Sequence, residues 1–248
     1  MPLLLIFVMA LFLSNSTAFA QIPKHLFNEV SGEVYDAKDF SSGTKPIKDR
    51  IGNYHFGESE GEWNFVILQN KDSLIVQLWD GRWDKDYFIG ETTWLNICHT
   101  FNKVKLEGNK ISFGKYSGQF ADAKDGNKSH KALLLFCDPL MGRNYGKDSA
   151  EVGYYSSETK VFYSDKEYSE LSLSVKPESY FAGKSKQQLK IMRNAIYARY
   201  GMIFQAGGDM EKYFRKKEWY RPFQKNVAAC LTDIENRNIE TISRLEQL

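Results

Sequence analysis

The sequence has little of what metal sites and disulfide frameworks are built from. Its 248 residues include only 4 His and 3 Cys. No two His are spaced as HxxxH and no two Cys as CxxC. The GxSxG, Walker A and dinucleotide-binding fingerprints are also absent. Cys98 and His99 are adjacent, but neighbours on a strand point to opposite faces, which argues against a catalytic dyad. The sequence therefore predicts no metal, no cofactor and no catalytic residues, and it favours a protein without enzymatic activity.

Long apolar runs are also lacking, apart from Leu3–Leu13, which is too short to cross a bilayer comfortably. A polar stretch follows this run and leads to Ala18-Phe19-Ala20, an A-x-A cleavage pattern. We therefore expect residues 1–20 to be a signal peptide that is cleaved before Gln21. Cleavage would leave no membrane span and a secreted or periplasmic protein. Basic residues are missing at the start, so the initiator amine would supply the positive charge. An uncleaved anchor is the alternative, which the short run and the small residues at the cut site disfavour.

The three cysteines need an interpretation, because exported proteins meet oxidising conditions. Cys98 and Cys137 both lie in strand-like segments of the same module, so they are the preferred disulfide pair. Cys230 lies in the second module, close to a predicted helix start. Three buried, reduced thiols that act as small hydrophobic side chains are an equal alternative.

Residues 21–163 show the pattern of strands separated by turns. Trp63–Leu68 and Ser73–Trp79 are rich in aromatic and β-branched residues and flank a polar turn, which predicts a hairpin. Phe101–Leu106 and Ile111–Phe113 alternate apolar and polar residues around a turn, which predicts a second one. Repeated hairpins without intervening helices favour an antiparallel meander, closed as a small barrel or folded as a sandwich.

Two further segments complete the β-rich module. Lys131–Cys137 (KALLLFC) suits a strand that is buried on both faces, and Val152–Tyr155 with Lys160–Tyr163 predicts a last hairpin. Gly52-Asn53-Tyr54 is loosely similar to small calycin-like barrels, which keeps a carrier with an apolar cavity open as an alternative. We expect the interior of a sheet of this size to be filled by its own side chains.

After a connector at 164–178, the pattern changes to that of helices. Ser185 and Gln188 have the spacing of a capping box, and apolar residues then recur every three or four positions as far as Tyr200. Gly201 is placed to end this helix. A short second helix is expected to begin near Asp209 and a third after a second capping box at Thr232–Glu235. The predicted fold is α+β, with a small three-helix module at residues 179–248.

Several motifs in this module resemble those of the YARHG domain, which occurs in exported bacterial proteins. They run in order over Ser179–Glu246: Met192–Gly201 (MRNAIYARYG), Tyr213-Phe214, Trp219-Tyr220-x-Pro222, and Leu231-x-x-Ile234-Glu235-x-x-Asn238-Ile239. The usual histidine of the signature is Tyr200 here, so a role that needs an imidazole would be missing. The resemblance implies a fold and an exported location, and it implies no defined activity.

The signature also has a physical interpretation. Asn238 lies four residues from Ile234 and from Ile242, so it falls on the apolar stripe of the last helix and needs hydrogen-bond partners. Arg193, Asn194 and Arg199 could be those partners, or could pair with Glu235. We expect the signature to build one polar and aromatic core, with a recognition surface as the alternative. The residues assigned to this structural signature are Arg193, Asn194, Tyr197, Arg199, Gly201, Trp219, Tyr220 and Asn238.

Charge is distributed unevenly along the chain. Glu178–Leu248 contains 13 Lys and Arg against 8 Asp and Glu, although the whole chain carries only +2. Lys212, Arg215 and Lys216 cluster near the second helix and suit an anionic envelope polymer, whereas a solvated basic face without a partner is the plainer interpretation. A net charge this small in an exported protein argues against nucleic acid.

A candidate ligand-binding loop lies in the β-rich module. Trp79, Arg82 and Trp83 combine aromatic rings and charge near a strand end, as in a loop that stacks on a sugar ring. The sequence thus favours a non-enzymatic envelope protein that binds envelope material or another exported protein. A hydrolase with its site in the β-rich module is the rival hypothesis.

Overall fold

A computed structural model describes residues 21–71, 73–85, 87, 90–146, 148–156 and 167–248. The predicted signal peptide at 1–20 and the predicted strand at Lys160–Tyr163 lie outside the described residues.

The described chain forms an extended β-rich part followed by a helical part. The strands are β1 His25–Phe27, β2 Val34–Tyr35, β3 Phe40–Ser42, β4 Gly52–Phe56, β5 Trp63–Asn70, β6 Ser73–Lys85, β7 Thr92–Phe101, β8 Val104–Glu107, β9 Lys110–Phe113, β10 Tyr116–Asp125, β11 Lys128–Leu135, β12 Cys137–Asp138, β13 Arg143–Asn144 and β14 Ser149–Ser156. The α-helices are α1 Glu170–Leu173, α2 Lys186–Arg199, α3 Asp209–Phe214 and α4 Asp233–Gln247.

Most strands belong to one sheet of twelve, in the order β7-β6-β5-β4-β14-β11-β10-β9-β8. The α+β class and the antiparallel sheet are confirmed. β1, β2 and β3 lie off this path: β1 pairs with β14 and β2, and β3 pairs with β10. β12 and β13 form a separate pair. The pairing of β4 with β14 interrupts the expected meander, and β1 pairs with β14 in parallel. The sheet curls but does not close into a barrel, since its end strands β7 and β8 are not hydrogen-bonded to each other in the described chain.

The first two hairpins predicted from the sequence both form. β5 and β6 pair from Asn64–Trp79 to Asn70–Ser73, so a two-residue turn joins them, and Lys71 in that turn has a positive φ of 54°. β8 and β9 pair around Gly108, whose φ is 64°. Phe101, which we expected in the second hairpin, instead ends β7.

The concave face of the curled sheet is filled with large side chains. Its fully buried members include Tyr54, Phe65, Phe113 and Phe120. Such packing confirms the expectation of a filled interior and leaves the calycin-like carrier hypothesis without support among the described residues.

The convex face is covered in two places. Residues of the N-terminal segment, such as Leu26 and Phe40, pack on β10, β11 and β14. Because Leu133 points inward and Leu134 outward beneath this segment, β11 is buried on both sides, as the KALLLFC run predicts. The helical part covers β5, β6 and β7, where Val66 and Ile75 join a core that includes Ile196 of α2 and Ile234 of α4.

Both expected capping boxes are present. The hydroxyl of Ser185 accepts a hydrogen bond from the amide of Gln188, whose side chain accepts one from the amide of Ser185. Thr232 and Glu235 form the same arrangement at the start of α4. The helical part differs from the expected three helices because the short α1 lies inside the predicted connector and packs on α4. None of the helices within the described ranges is long and apolar enough to cross a membrane.

Candidate functional site

A cleft of about 350 Å³ opens on the convex face of the sheet, beside the helical part. Cross-strand pairs explain why its walls share one face: His55 pairs with Asn64, Asn64 with Trp79, and Gly81 with Asn96. The lining residues are Asn53, His55, Glu62, Asn64, Trp79, Asp80, Gly81, Trp94, Asn96 and Ser156.

Amide side chains form one wall of the cleft. The Nδ2 of Asn53 donates to the Oδ1 of Asn64 at 2.9 Å, and the Nδ1 of His55 lies 3.3 Å from the same oxygen. Asn53 is only 7% exposed, and its Oδ1 has no hydrogen-bond partner among the described residues. An unpaired buried acceptor of this kind costs about 1–3 kcal/mol, which a ligand hydroxyl or amide could recover.

The opposite wall is aromatic. A side chain at Gly81 would meet the indole of Trp94, because a Cβ built there lies 2.0 Å from Cζ2 of Trp94. Glycine at this position therefore lets the indole lie against strand β6. Trp83 contacts Trp94 edge to face at 5.4 Å between centroids, and its 55% exposure places it at the rim.

Trp79 forms the floor of the cleft. It is 3% exposed, so its ring is almost fully buried. Its ring stacks on Tyr200 of the helical part, with 5.6 Å between centroids and 21° between planes. Of the three residues predicted for this loop, only Trp79 lines the cleft. Arg82 is exposed and pairs with Asp84 at 3.0 Å.

Tyr200, the residue that departs from the signature histidine, joins the floor of the cleft to a buried polar core. Its hydroxyl lies 2.9 and 3.0 Å from the two carboxylate oxygens of Glu235, and 3.0 Å from the Nε2 of Gln77 on β6. The Arg199 guanidinium lies 3.4 Å from Glu235 with both side chains fully buried, and Ser172 bonds to both. Burial raises the pKa of Glu235, and the charge of Arg199 opposes that rise.

Asn238 is completely buried, and its partners are main-chain groups. Its Nδ2 donates to the carbonyls of Leu171 and Ser174, at 2.6 and 3.0 Å, and its Oδ1 accepts from the amide of Lys176 at 2.8 Å. None of the α2 side chains that we considered as partners takes this role. Arg199 instead follows the second alternative and pairs with Glu235.

The remaining signature residues have structural contacts of their own. Arg193 binds Glu246 of α4 through two hydrogen bonds of 2.8 and 2.9 Å, and Asn194 donates back to the carbonyl of Lys190 in its own helix. Tyr197 is half-buried against the shared core. Gly201 follows the end of α2 and has a φ of 73°. Trp219 and Tyr220 pack with Phe214, and the hydroxyl of Tyr220 donates to the carbonyl of Met202.

The predicted basic cluster lies away from the cleft walls. Lys212, Arg215 and Lys216 are exposed on and just after α3, and none of them lines the cleft. Arg215 lies 3.6 Å from Glu211, which offsets part of the positive charge.

Two acidic residues line the cleft, and each has a partner of its own. Glu62 lies 3.6 Å from the Nε2 of His55 near the surface. The carboxylate of Asp80 accepts a hydrogen bond from the amide of Gly81. It interacts electrostatically with the side chains of Asp138 and His99. Burial raises the pKa of Asp80. In the part of the chain that the structure describes, no three His, Cys, Asp or Glu residues are grouped as metal ligands.

The expected disulfide between Cys98 and Cys137 is not formed, since all three cysteines are free. Cys98 points from β7 towards the helices, where Cys230 lies beside it. Cys137 follows β11 and lies next to Ser117 of β10. The two thiols thus face different parts of the sheet.

A second, larger depression of about 530 Å³ lies at the start of the described chain. It is lined by Gln21, Ile22, Pro23, Lys24, Lys110, Gln119, Phe136 and Asp148. It offers one aromatic residue, whereas the cleft beside the helical part combines two indoles with three amides. The smaller cleft is therefore the better candidate.

No sequence motif points to the amides of the cleft, to Gln77, or to the contact between Cys98 and Cys230. Side chains alternate between the two faces of a strand, so Asn53 and His55, two residues apart, are expected on the same face. The contacts with residues 200 and 230 carry no local signal, because they join positions far apart in the chain.

Comparison with known proteins agrees with the helical part alone. Residues 164–247 match the family model of the YARHG domain, a domain typical of exported proteins. This match confirms the resemblance drawn from the motifs, and it begins within the segment expected to be a connector. The β-rich part matches no family model. No curated protein and no solved structure matches the chain.

Proposed function

We propose that the protein is a non-enzymatic binding protein of the bacterial cell envelope, and that its cleft holds an uncharged sugar unit of envelope material. The export expected from residues 1–20 and the YARHG match support the location. One observation carries the ligand class: a cleft with one indole as its floor, another as a wall, and amides on the opposite wall, including a buried acceptor that has no partner among the described residues.

The chemistry of the walls suits a sugar. Indole faces pack against the C–H surface of a pyranose, while amide groups exchange hydrogen bonds with hydroxyl or acetamido groups. Asn53 and Asn64 point their amides into the same space, and Trp94 closes it from the other strand. The volume of about 350 Å³ is at the small end of the usual range for ligand sites and suits one or two sugar units.

Binding has more support than hydrolysis. A glycosidase needs two carboxylates that face one bond from opposite sides, roughly 5–10 Å apart. Glu62 is half-exposed beside His55. The carboxylate of Asp80 accepts a hydrogen bond from the backbone and interacts electrostatically with Asp138 and His99, which do not line the cleft. The geometry therefore supplies ligand-binding groups more clearly than an acid and a nucleophile.

Titration calorimetry with a soluble N-acetylglucosamine tetramer tests this proposal. We expect Trp94→Ala to abolish binding and Trp83→Ala, at the rim, to weaken it only slightly. Equal losses of binding in the two variants would indicate that the sugar binds at the rim. A wild-type protein that binds neither this probe nor purified peptidoglycan would contradict the proposal.

Salt dependence separates the cleft from the basic cluster. Sedimentation with isolated cell walls at low and high salt should show nearly unchanged binding, because the cleft contacts are mainly uncharged. Binding that collapses in high salt and is lost in a Lys212→Ala, Lys216→Ala double variant would assign the interaction to an anionic polymer on the α3 surface instead.

A further inference from the structure

Two thiols from different parts of the chain meet at the contact between sheet and helices. Cys98 on β7 is 3% exposed and Cys230, in a short 3-10 turn before α4, is 4% exposed. The Sγ of Cys230 lies 3.1 Å from the carbonyl oxygen of Cys98, although 132 positions separate the two residues in sequence. Both side chains belong to the same buried cluster.

The backbone around Cys230 is held in place by the sheet. Its carbonyl accepts hydrogen bonds from the hydroxyl of Thr100, at 2.5 Å, and from the Nε2 of Gln77, at 3.2 Å. Asn102 fixes the next residues, since its amide donates to the carbonyl of Leu231 and accepts from the amide of Asp233. The position of one thiol relative to the other is therefore set by a network and does not depend on the thiols alone.

From this geometry we infer that Cys98 and Cys230 are a redox-active pair that forms a disulfide between the β-rich part and the YARHG part. The oxidant required is an external disulfide, either a small molecule or an oxidoreductase. One thiolate attacks that disulfide, forms a mixed disulfide and releases the first thiol of the oxidant. The second cysteine thiolate attacks the mixed disulfide and releases the other thiol, so two electrons pass to the oxidant.

Burial raises the pKa of Cys98. Because the thiolate is the attacking species, each step of the exchange requires that one of these buried thiols lose its proton.

The disulfide would link the sheet to the helical part next to the floor of the cleft. Cys98 lies directly opposite Trp79 on the neighbouring strand, and Trp79 stacks on Tyr200 of the helical part. A covalent link at this point restrains the unfolded chain over a long loop and keeps the helical part on the sheet.

The test is mass spectrometry of the full chain after equilibration with oxidised glutathione, followed by alkylation and proteolysis without reductant. We expect a peptide pair linked through Cys98 and Cys230, while Cys137 is recovered alkylated or as a glutathione adduct. We also expect the oxidised protein to melt at a higher temperature than the protein treated with reductant.

Matched variants fix the assignment. Cys137→Ser should retain the linked pair, and its count of titratable thiols should fall from two to zero on oxidation. Cys230→Ser should retain neither the link nor the rise in melting temperature. If a serine variant does not fold, the wild-type peptide map alone decides. Alkylated Cys98 and Cys230 in the oxidised wild type, or a link from either of them to Cys137, would overturn the inference.

Discussion

Asn238 shows how far a single residue can be understood from the sequence. Its position four residues from Ile234 and Ile242 predicts that it faces the core, and the structure buries it fully. Its partners could not be predicted in the same way, because they are backbone groups of residues 171–176. The sequence gives no direct sign of which carbonyls a folded segment leaves unpaired.

Asn238→Ala should lower the free energy of unfolding by about 3 kcal/mol, because two carbonyls and one amide lose their buried partner. Urea denaturation followed by tryptophan fluorescence measures the change. Asn236→Ala, on the same helix but only partly buried, is the control and should cost less than about 1 kcal/mol. An unchanged stability in Asn238→Ala would remove this residue from the core of the helical part.

Glu151 gives the β-rich part a dependence on pH. Burial raises the pKa of its carboxyl from 4.5 to about 7, and the charges of Glu29 and Asp138 add to that rise, while a hydrogen bond from Tyr145 opposes it. Between these two pH values the folded chain holds a proton that the unfolded chain releases. The free energy of unfolding should therefore fall as pH rises from about 4.5 to 7, by up to about 3 kcal/mol.

Glu151→Gln should remove this part of the slope, since glutamine does not titrate. Urea unfolding of the wild type and the variant across the same pH range measures the difference. Parallel stability curves for the two proteins would show that Glu151 does not hold a proton in the folded state.

At the scale of elements, the sequence predicts what is local. The β5–β6 and β8–β9 hairpins and the two capping boxes depend on residues close together in the chain, and all four form. The strands β1, β2 and β3 have only two or three residues each and show no repeating pattern. β1 pairs with β14 and β3 with β10, which are distant in the chain, and β2 pairs with β1.

The two capping boxes differ in burial, so their removal should differ in cost. Ser185 is exposed, and Ser185→Ala should destabilise the protein by about 1 kcal/mol. Thr232 is fully buried and bonds to Glu235, so Thr232→Ala should cost about 2 kcal/mol or more. Thermal and urea unfolding of both variants compare the two losses. A larger loss for Ser185→Ala would contradict the burial of the second box.

At the scale of the whole molecule, the helical part shares a hydrophobic core with the sheet. Val66, Ile75 and Trp79 of the sheet belong to the same core as the α2 and α4 residues. Cleft residues were only partly predictable for the same reason. The aromatic segment with Trp79 and Trp83 is visible in the sequence, although it forms part of strand β6 and not a loop, and the neighbouring amides come from other strands. Only the fold brings those strands and Tyr200 to one place.

Tyr200, in the position of the signature histidine, couples the helical part to the sheet through Gln77 and Trp79. A double-mutant cycle of Gln77→Ala and Tyr200→Phe, read from the free energy of unfolding, tests it most directly. The hydroxyl of Tyr200 lies 3.0 Å from the Nε2 of Gln77, so we predict a coupling energy of about 1 kcal/mol or more. Effects that add to within about 0.3 kcal/mol would show that the two parts are not coupled at this contact.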